Sequence, residues 1–236
     1  LTFEDSDAYY QTLFELFHSF VGANRLSHFE LLGVGITLPG IINPETATVD
    51  YAPRLHLRKK PLADIRRYFP GRVIFINDAY ARGFVEWWNR PALRTLAYLS
   101  VDRGVGGSIV LGHSPYHGDN GRSAEFGHMC IVSNGRPCSC GQKGCLEAYC
   151  SVSRISDELD MTLEEFFSAL NARNRQIEIV WEEYMMHLAQ GIVSIRAVLD
   201  CEIILGGMLS PFMENHMDEL SKRVAELSPF DTDGAF

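Results

Sequence analysis

The sequence predicts an α/β protein in two lobes, on three observations. Apolar, β-rich runs alternate along the chain with stretches of helical periodicity. Several runs close in turn signals, Pro39-Gly40, Asn77-Asp78 and Gly206-Gly207, and in open α/β sheets that end of a strand faces the ligand crevice. The 236 residues are 46% apolar, enough for a sizeable core in two parts. We expect lobes at 1–95 and 96–236.

In chain order, Asp5 or Ser6 caps a helix that runs to about Val21, with Tyr9, Leu13, Leu16, Phe17 and Phe20 as its core stripe and Gly22 as its stop. Strands follow at Leu31–Leu38 and Arg72–Ile76, with a short helix at Leu62–Phe69 between them and a helix from Ala79 to Trp88 after them. Arg94–Asp102 is a strand, and Arg103-Gly104-Val105-Gly106-Gly107 is a glycine-rich turn into another, Ser108–Leu111. Helices are expected at Leu146–Val152, Leu163–Leu170, Ile177–Leu199 and Pro211–Leu227, with the strand Ile203–Leu205 ending in Gly206-Gly207. His187 reads as a packing histidine on the long helix, and Cys130, Cys150 and Cys201 as core residues.

The formal net charge of −9 disfavours nucleic-acid binding by these residues. No apolar run of about eighteen residues is present, so no membrane span is expected, and no signal-peptide pattern opens the chain.

The densest chemical motif is His128-x9-Cys138-x-Cys140-x4-Cys145, with Gly141 and Gly144 between the last two cysteines. Three thiols and one imidazole match a closed, tetrahedral structural zinc, and glycine lets the backbone curl between ligands. Buried thiols or two disulfides are the alternatives, but clustered cysteines in a reducing, cytoplasmic setting favour metal. Glu125 and Glu147 flank the cluster. Carboxylates accept hydroxyl hydrogen bonds strongly, so a rigid loop presenting both suits a polyol such as a sugar; solvated loop acids are the alternative reading. Asp78, at a strand end and a helix start, is placed to stay ionised and accept a proton, or merely to cap the helix. The glycine turn offers N–H groups to a phosphate, although any tight hairpin needs glycines.

Glu125-Phe126-Gly127-His128, followed by Cys138-Ser139-Cys140-Gly141-Gln142-Lys143-Gly144-Cys145-Leu146-Glu147, resembles the signature of the ROK family of repressors, open reading frames and sugar kinases, over about Leu32–Leu209. The resemblance implies an actin-like ATPase (ribonuclease H-like) two-lobed fold with the sugar in the cleft. It implies sugar contacts from Gly40, Asn77, Asp78, Asn120, Glu125, His128 and Glu147, with Asp78 as general base in a kinase. It implies a nucleotide side at Gly104, Gly106, Gly107, Gly206 and Gly207, served by ATP and Mg²⁺. The family's kinases carry threonine where this chain has Arg103. The family's Asp-x-Gly-Gly-Thr loop, its closing Gly-Ala-Ala helix and the helix-turn-helix of its regulators are not found, so truncation at both ends and a homodimer or higher oligomer are expected. The favoured function is the sugar-sensing part of a transcriptional regulator, with DNA contacted only by a segment outside this chain. The alternatives are an ATP-dependent hexose or N-acetylhexosamine kinase and a zinc-stabilised sugar-binding protein.

Overall fold

A computed structural model describes residues 2–26, 31–43, 46–228 and 230. The chain divides into two compact units, Leu1–Ala81 and Arg82–Phe236, against the expected lobes 1–95 and 96–236.

The first unit opens on α1 (Asp7–Ala23), whose N-cap Ser6 accepts the Tyr9 N–H at 3.2 Å. The helix passes through Gly22 and ends at Asn24, whose side-chain amide donates to the Phe20 carbonyl. Its buried residues are Tyr10 and Val21, while Leu16 and Phe20 of the expected stripe are exposed. Tyr10 is held by one local and one distant partner: its hydroxyl donates to Asp5 at 2.8 Å and the Lys60 ammonium lies 5.8 Å from its ring centroid.

Next come β1 (Val34–Leu38), β2 (Ile41–Asn43), β3 (Thr48–Ala52), β4 (Leu57–Pro61), the single turn α2 (Ala63–Arg66), β5 (Val73–Asn77) and α3 (Asp78–Trp88). β1 and β5 pair in parallel, Leu38 opposite Asn77, so Pro39-Gly40 and Asn77-Asp78 emerge at the same end. β2, β3 and β4 form an antiparallel meander absent from the sequence reading, around buried Val49, Ala52, Leu57 and Leu62. The division between units falls inside α3.

In the second unit β6 (Leu96–Val101), β7 (Val105–Leu111) and β8 (Ser114–Pro115) precede α4 (Glu147–Cys150), α5 (Val152–Ser156), α6 (Leu163–Asn171) and α7 (Arg175–Leu199). Then follow β9 (Glu202–Gly206), α8 (Ser210–Met213) and α9 (Met217–Leu227). The sheet order is β8-β7-β6-β9, with β9 parallel and β7 antiparallel to β6. Every residue of β6 is buried, as expected of a strand covered on both faces. Gly106 and Gly107 belong to β7, opposite Ser100 and Leu99, which leaves only Asp102–Gly104 as the turn. The expected helix Leu146–Val152 is two short helices parted at Ser151, because the Val152 N–H is captured by the Asp102 carbonyl at 2.7 Å. The core joins Leu99, Leu146, Ile155, Phe166, Tyr184, Leu188, Ile192 and Leu209. His187 is buried in it, its ring 4.2 Å from that of Tyr149. Cys150 is buried as expected, but Cys130 is exposed.

Candidate functional site

The loop after β8 folds back on itself through local hydrogen bonds. Cys138 N–H reaches the Gln142 carbonyl at 2.8 Å, Gly141 N–H the Cys138 carbonyl at 3.0 Å and Gly144 N–H the Arg136 carbonyl at 2.8 Å. Gly141 and Gly144 adopt φ of +90° and +81°, the left-handed backbone that glycine takes at no steric cost. The curl brings one ligand atom each from His128, Cys138, Cys140 and Cys145 within 4.8 Å of one another. A tetrahedral zinc, with Zn–S of about 2.3 Å and Zn–N of about 2.0 Å, sets two sulfurs about 3.8 Å apart and sulfur and nitrogen about 3.6 Å apart. Cys140 Sγ and Cys145 Sγ are separated by 3.8 Å, and Cys138 Sγ and His128 Nδ1 by 3.7 Å. Sulfurs so far apart are not bridged, and all six cysteines are free. Burial, with the sulfurs of Cys138 and Cys140 beside it, pushes the Cys145 thiol up to about 12. A cation among the three sulfurs would favour the Cys145 thiolate, and the donor set of three thiols and one imidazole fits zinc.

His128 turns Nδ1 toward the cysteines and Nε2 toward Glu125, whose Oε2 lies 3.9 Å away. Glu147 starts α4 in a buried position. Its Oε2 accepts the Val105 N–H at 3.0 Å and its Oε1 the Ser139 hydroxyl at 2.6 Å. So Glu147 ties the loop to the first residue of β7. The Val105 and Ser139 contacts were not legible in the sequence. The same junction is closed sterically: a Cβ on Gly107 would lie 2.3 Å from the Phe126 ring, and one on Gly127 2.0 Å from the Val105 carbonyl oxygen. Asn120 is exposed in the Gly118–Gly121 turn. Arg103 forms a forked pair with Asp157, both contacts at 3.0 Å. Ser156 and then Arg103 hold the Asp157 carboxyl below its ordinary range.

In the first unit Asn77 is committed on both sides. Its Nδ2 donates to the Gly40 carbonyl at 3.0 Å and its Oδ1 accepts the Tyr80 N–H at 3.0 Å, capping α3. Gly40 has φ of +106°, and a Cβ there would meet the Tyr51 carbonyl oxygen at 2.4 Å; local packing alone requires the glycine. Asp78 Oδ1 lies 3.0 Å from the Ala79 N–H.

The profile of the ROK family matches residues 4–228. The chain belongs to the ROK family. It is 28% identical over 200 residues to an N-acetylmannosamine kinase of Vibrio cholerae, covering 81% of this chain and 69% of that protein. It is 30% identical over 215 residues to a glucokinase of Halalkalibacterium halodurans, covering 80% and 65%. It is 25% identical over 224 residues to the xylose repressor of Bacillus subtilis, covering 92% and 58%. Thus the chain spans less than two thirds of the length of the glucokinase and the repressor. Two solved structures share the fold. A ROK family glucokinase from Streptomyces griseus in complex with glucose and AMPPNP has a TM-score of 0.77 at 23% identity, over 92% of this chain and 78% of that one. A ROK family transcriptional regulator, a homologue of the E. coli MLC protein, has a TM-score of 0.78 at 22% identity, over 93% and 60%. The family and the actin-like α/β fold are those the sequence predicts, and relatives of both kinds, kinases and repressors, are found. Among the described residues no helix is long and apolar enough to cross a membrane.

Proposed function

We propose that this chain is the sugar-sensing part of a ROK-type transcriptional regulator of carbohydrate metabolism. One observation carries the preference over a kinase. The residue at the family's kinase threonine position is Arg103, and its guanidinium is engaged by Asp157. Phosphoryl transfer depends on positioning and charge stabilisation, so a phosphate loop altered there costs turnover more than it costs sugar binding.

The proposed sugar contacts are Gly40, Asn77, Asp78, Asn120, Glu125, His128 and Glu147. Glu147 accepts the Val105 N–H and the Ser139 hydroxyl and lies 3.9 Å from the Cys138 sulfur, so a sugar hydroxyl would join or replace these partners. Zinc, held by His128 Nδ1 and the three cysteines, supplies no chemistry to the reaction; it fixes the loop that carries Glu125 and Glu147. DNA contact belongs to a segment outside this chain. Cytoplasmic location, with thiolates kept reduced, and self-association complete the reading. Exposed Phe84, Val85 and Trp88 on α3 supply apolar surface for that association.

The kinase reading is supported by Asp78 at the start of α3. There it would take the proton of the attacking hydroxyl, with Gly104, Gly106, Gly107, Gly206 and Gly207 lining the side for ATP and Mg²⁺. Calorimetry against a panel of hexoses and N-acetylhexosamines, beside an ADP-release assay, separates the two. A regulator binds a sugar without turnover, and Glu125→Gln weakens that binding. Turnover in the range of about 1–100 s⁻¹, abolished by Asp78→Asn, overturns the regulator in favour of the kinase.

A further inference from the structure

Asp102 is the first residue after β6 and the sequence motifs leave it unassigned. Its Oδ1 accepts the Met208 N–H, just beyond Gly206-Gly207, at 2.9 Å. Its Oδ2 accepts the Ser100 hydroxyl at 2.7 Å and carries the guanidinium of Arg82 on α3. Arg82 Nη1 also donates to Ser100 Oγ at 3.2 Å. One guanidinium, one hydroxyl and one backbone N–H from a glycine turn therefore converge on one carboxylate. That is the donor set with which proteins hold a phosphate or carboxylate of a ligand. The site is not sealed: the Arg82 and Asp102 side chains are 44% and 22% exposed.

The rest of the hairpin is arranged alike. The Val105 N–H is given to Glu147 Oε2, and Arg103 to Asp157. Arg82, the Met208 N–H, the Val105 N–H and Arg103, four anion-holding groups at or beside the glycine turns, thus serve carboxylates of the chain itself. A phosphate-bearing ligand arriving here would have to displace Asp102 from its donors and then sit against its negative charge.

We propose that Asp102 is an internal anion that sets ligand specificity at the two glycine turns, excluding polyphosphate ligands such as a nucleoside triphosphate. The proposal rests on the regulator reading above and names the side chain responsible. Removing the carboxylate turns an occupied receptor into an open one, because Arg82, Ser100 and the Met208 N–H remain. Asp102→Asn keeps the acceptor for Met208 but removes the charge, and so opens it in part.

The test is the affinity for Mg²⁺·AMPPNP and for tripolyphosphate, by calorimetry at low salt, on the zinc-loaded full chain. Asp102→Ala is expected to bind both at least about tenfold more tightly than the wild type, Asp102→Asn to fall between, and Arg82→Gln placed in the Asp102→Ala chain to cancel the gain. Zinc content and melting temperature report folding, and if Asp102→Ala does not fold, Asp102→Asn decides. Affinities within threefold of the wild type in the folded variants overturn the proposal. So does a gain for AMPPNP with none for tripolyphosphate, which would assign the effect to the nucleoside. Sugar turnover by the wild type would overturn both the regulator reading and this proposal, because turnover requires ATP to bind here, whereas unchanged affinities in Asp102→Ala without any turnover overturn this proposal alone, so the two failures are distinguishable.

Discussion

Cys140→Ser tests the metal loop directly. A serine hydroxyl stays protonated at neutral pH and is a poor zinc ligand, so the substitution deletes one corner of the tetrahedron while changing one atom. Structural zinc in small cysteine–histidine sites binds with about 10–16 kcal/mol. Shared over the four ligands on His128, Cys138, Cys140 and Cys145, that is about 3 kcal/mol each, or a roughly hundredfold loss of affinity at about 1.4 kcal/mol per decade. The loop should loosen with it, because the buried Leu146 and Glu147 follow Cys145 directly and Ser139 is one of the Glu147 partners. Zinc affinity is measured by competition with a chromophoric chelator under reducing conditions, beside thermal melts with and without zinc. The control is Cys130→Ser, an exposed thiol outside the ligand set, expected to keep zinc and stability. Zinc bound by Cys140→Ser within threefold of the wild type, or no zinc in wild-type protein purified reduced, would refute the assignment.

Further outcomes follow from other parts of the chain. Arg154 is 5% exposed and donates to the Tyr149 carbonyl, while its partner Glu183 is 41% exposed; Arg154→Ala should cost about 1–3 kcal/mol, the penalty for leaving that buried carbonyl unpaired, in urea unfolding, and a cost under about 0.5 kcal/mol would contradict it. Burial pushes the Glu183 carboxyl up, but Arg154 outweighs burial and holds it below its ordinary range. The folded value is therefore depressed: its contribution is complete above the unfolded value of about 4.3 and is lost as pH falls through the folded one. Glu183→Gln should flatten the unfolding midpoint below about pH 4.5, and an unchanged acid limb in that variant would contradict this. Gly107→Ala drives a methyl into the Phe126 ring, 2.3 Å from the built Cβ, and should cost about 1–3 kcal/mol by overpacking. Gly35→Ala, with nothing within 4 Å, should stay within about 0.5 kcal/mol; equal costs at the two glycines would show that the packing at β7 is not what the structure describes.

The sequence by itself determined what is local. The candidate metal ligands lie within His128–Cys145, close enough that spacing and two glycines specify their convergence, and the strand-to-turn punctuation at Asn77-Asp78 and Gly206-Gly207 was legible from propensity. Long helices such as α7 declared themselves by period, read as Ile177–Leu199 against the observed Arg175–Leu199, although the Asn174 cap that starts the helix two residues earlier was not read. What needed distant partners was not legible. β4 reads Leu57-Arg58-Lys59-Lys60-Pro61, without apolar alternation, and is a strand only because β3 pairs with it. Gly106 and Gly107 are poor strand formers, yet β6 beside them and Phe126 above them enforce the strand. The helix expected through Ser151 breaks because the Asp102 carbonyl, far back in the chain, takes the Val152 N–H. Asp102 gathers Arg82, Ser100 and Met208, the last 106 residues away. No window of sequence contains that set. Hydrogen bonds and side-chain packing act over a few ångströms of space, and only the tertiary fold brings such residues within that range.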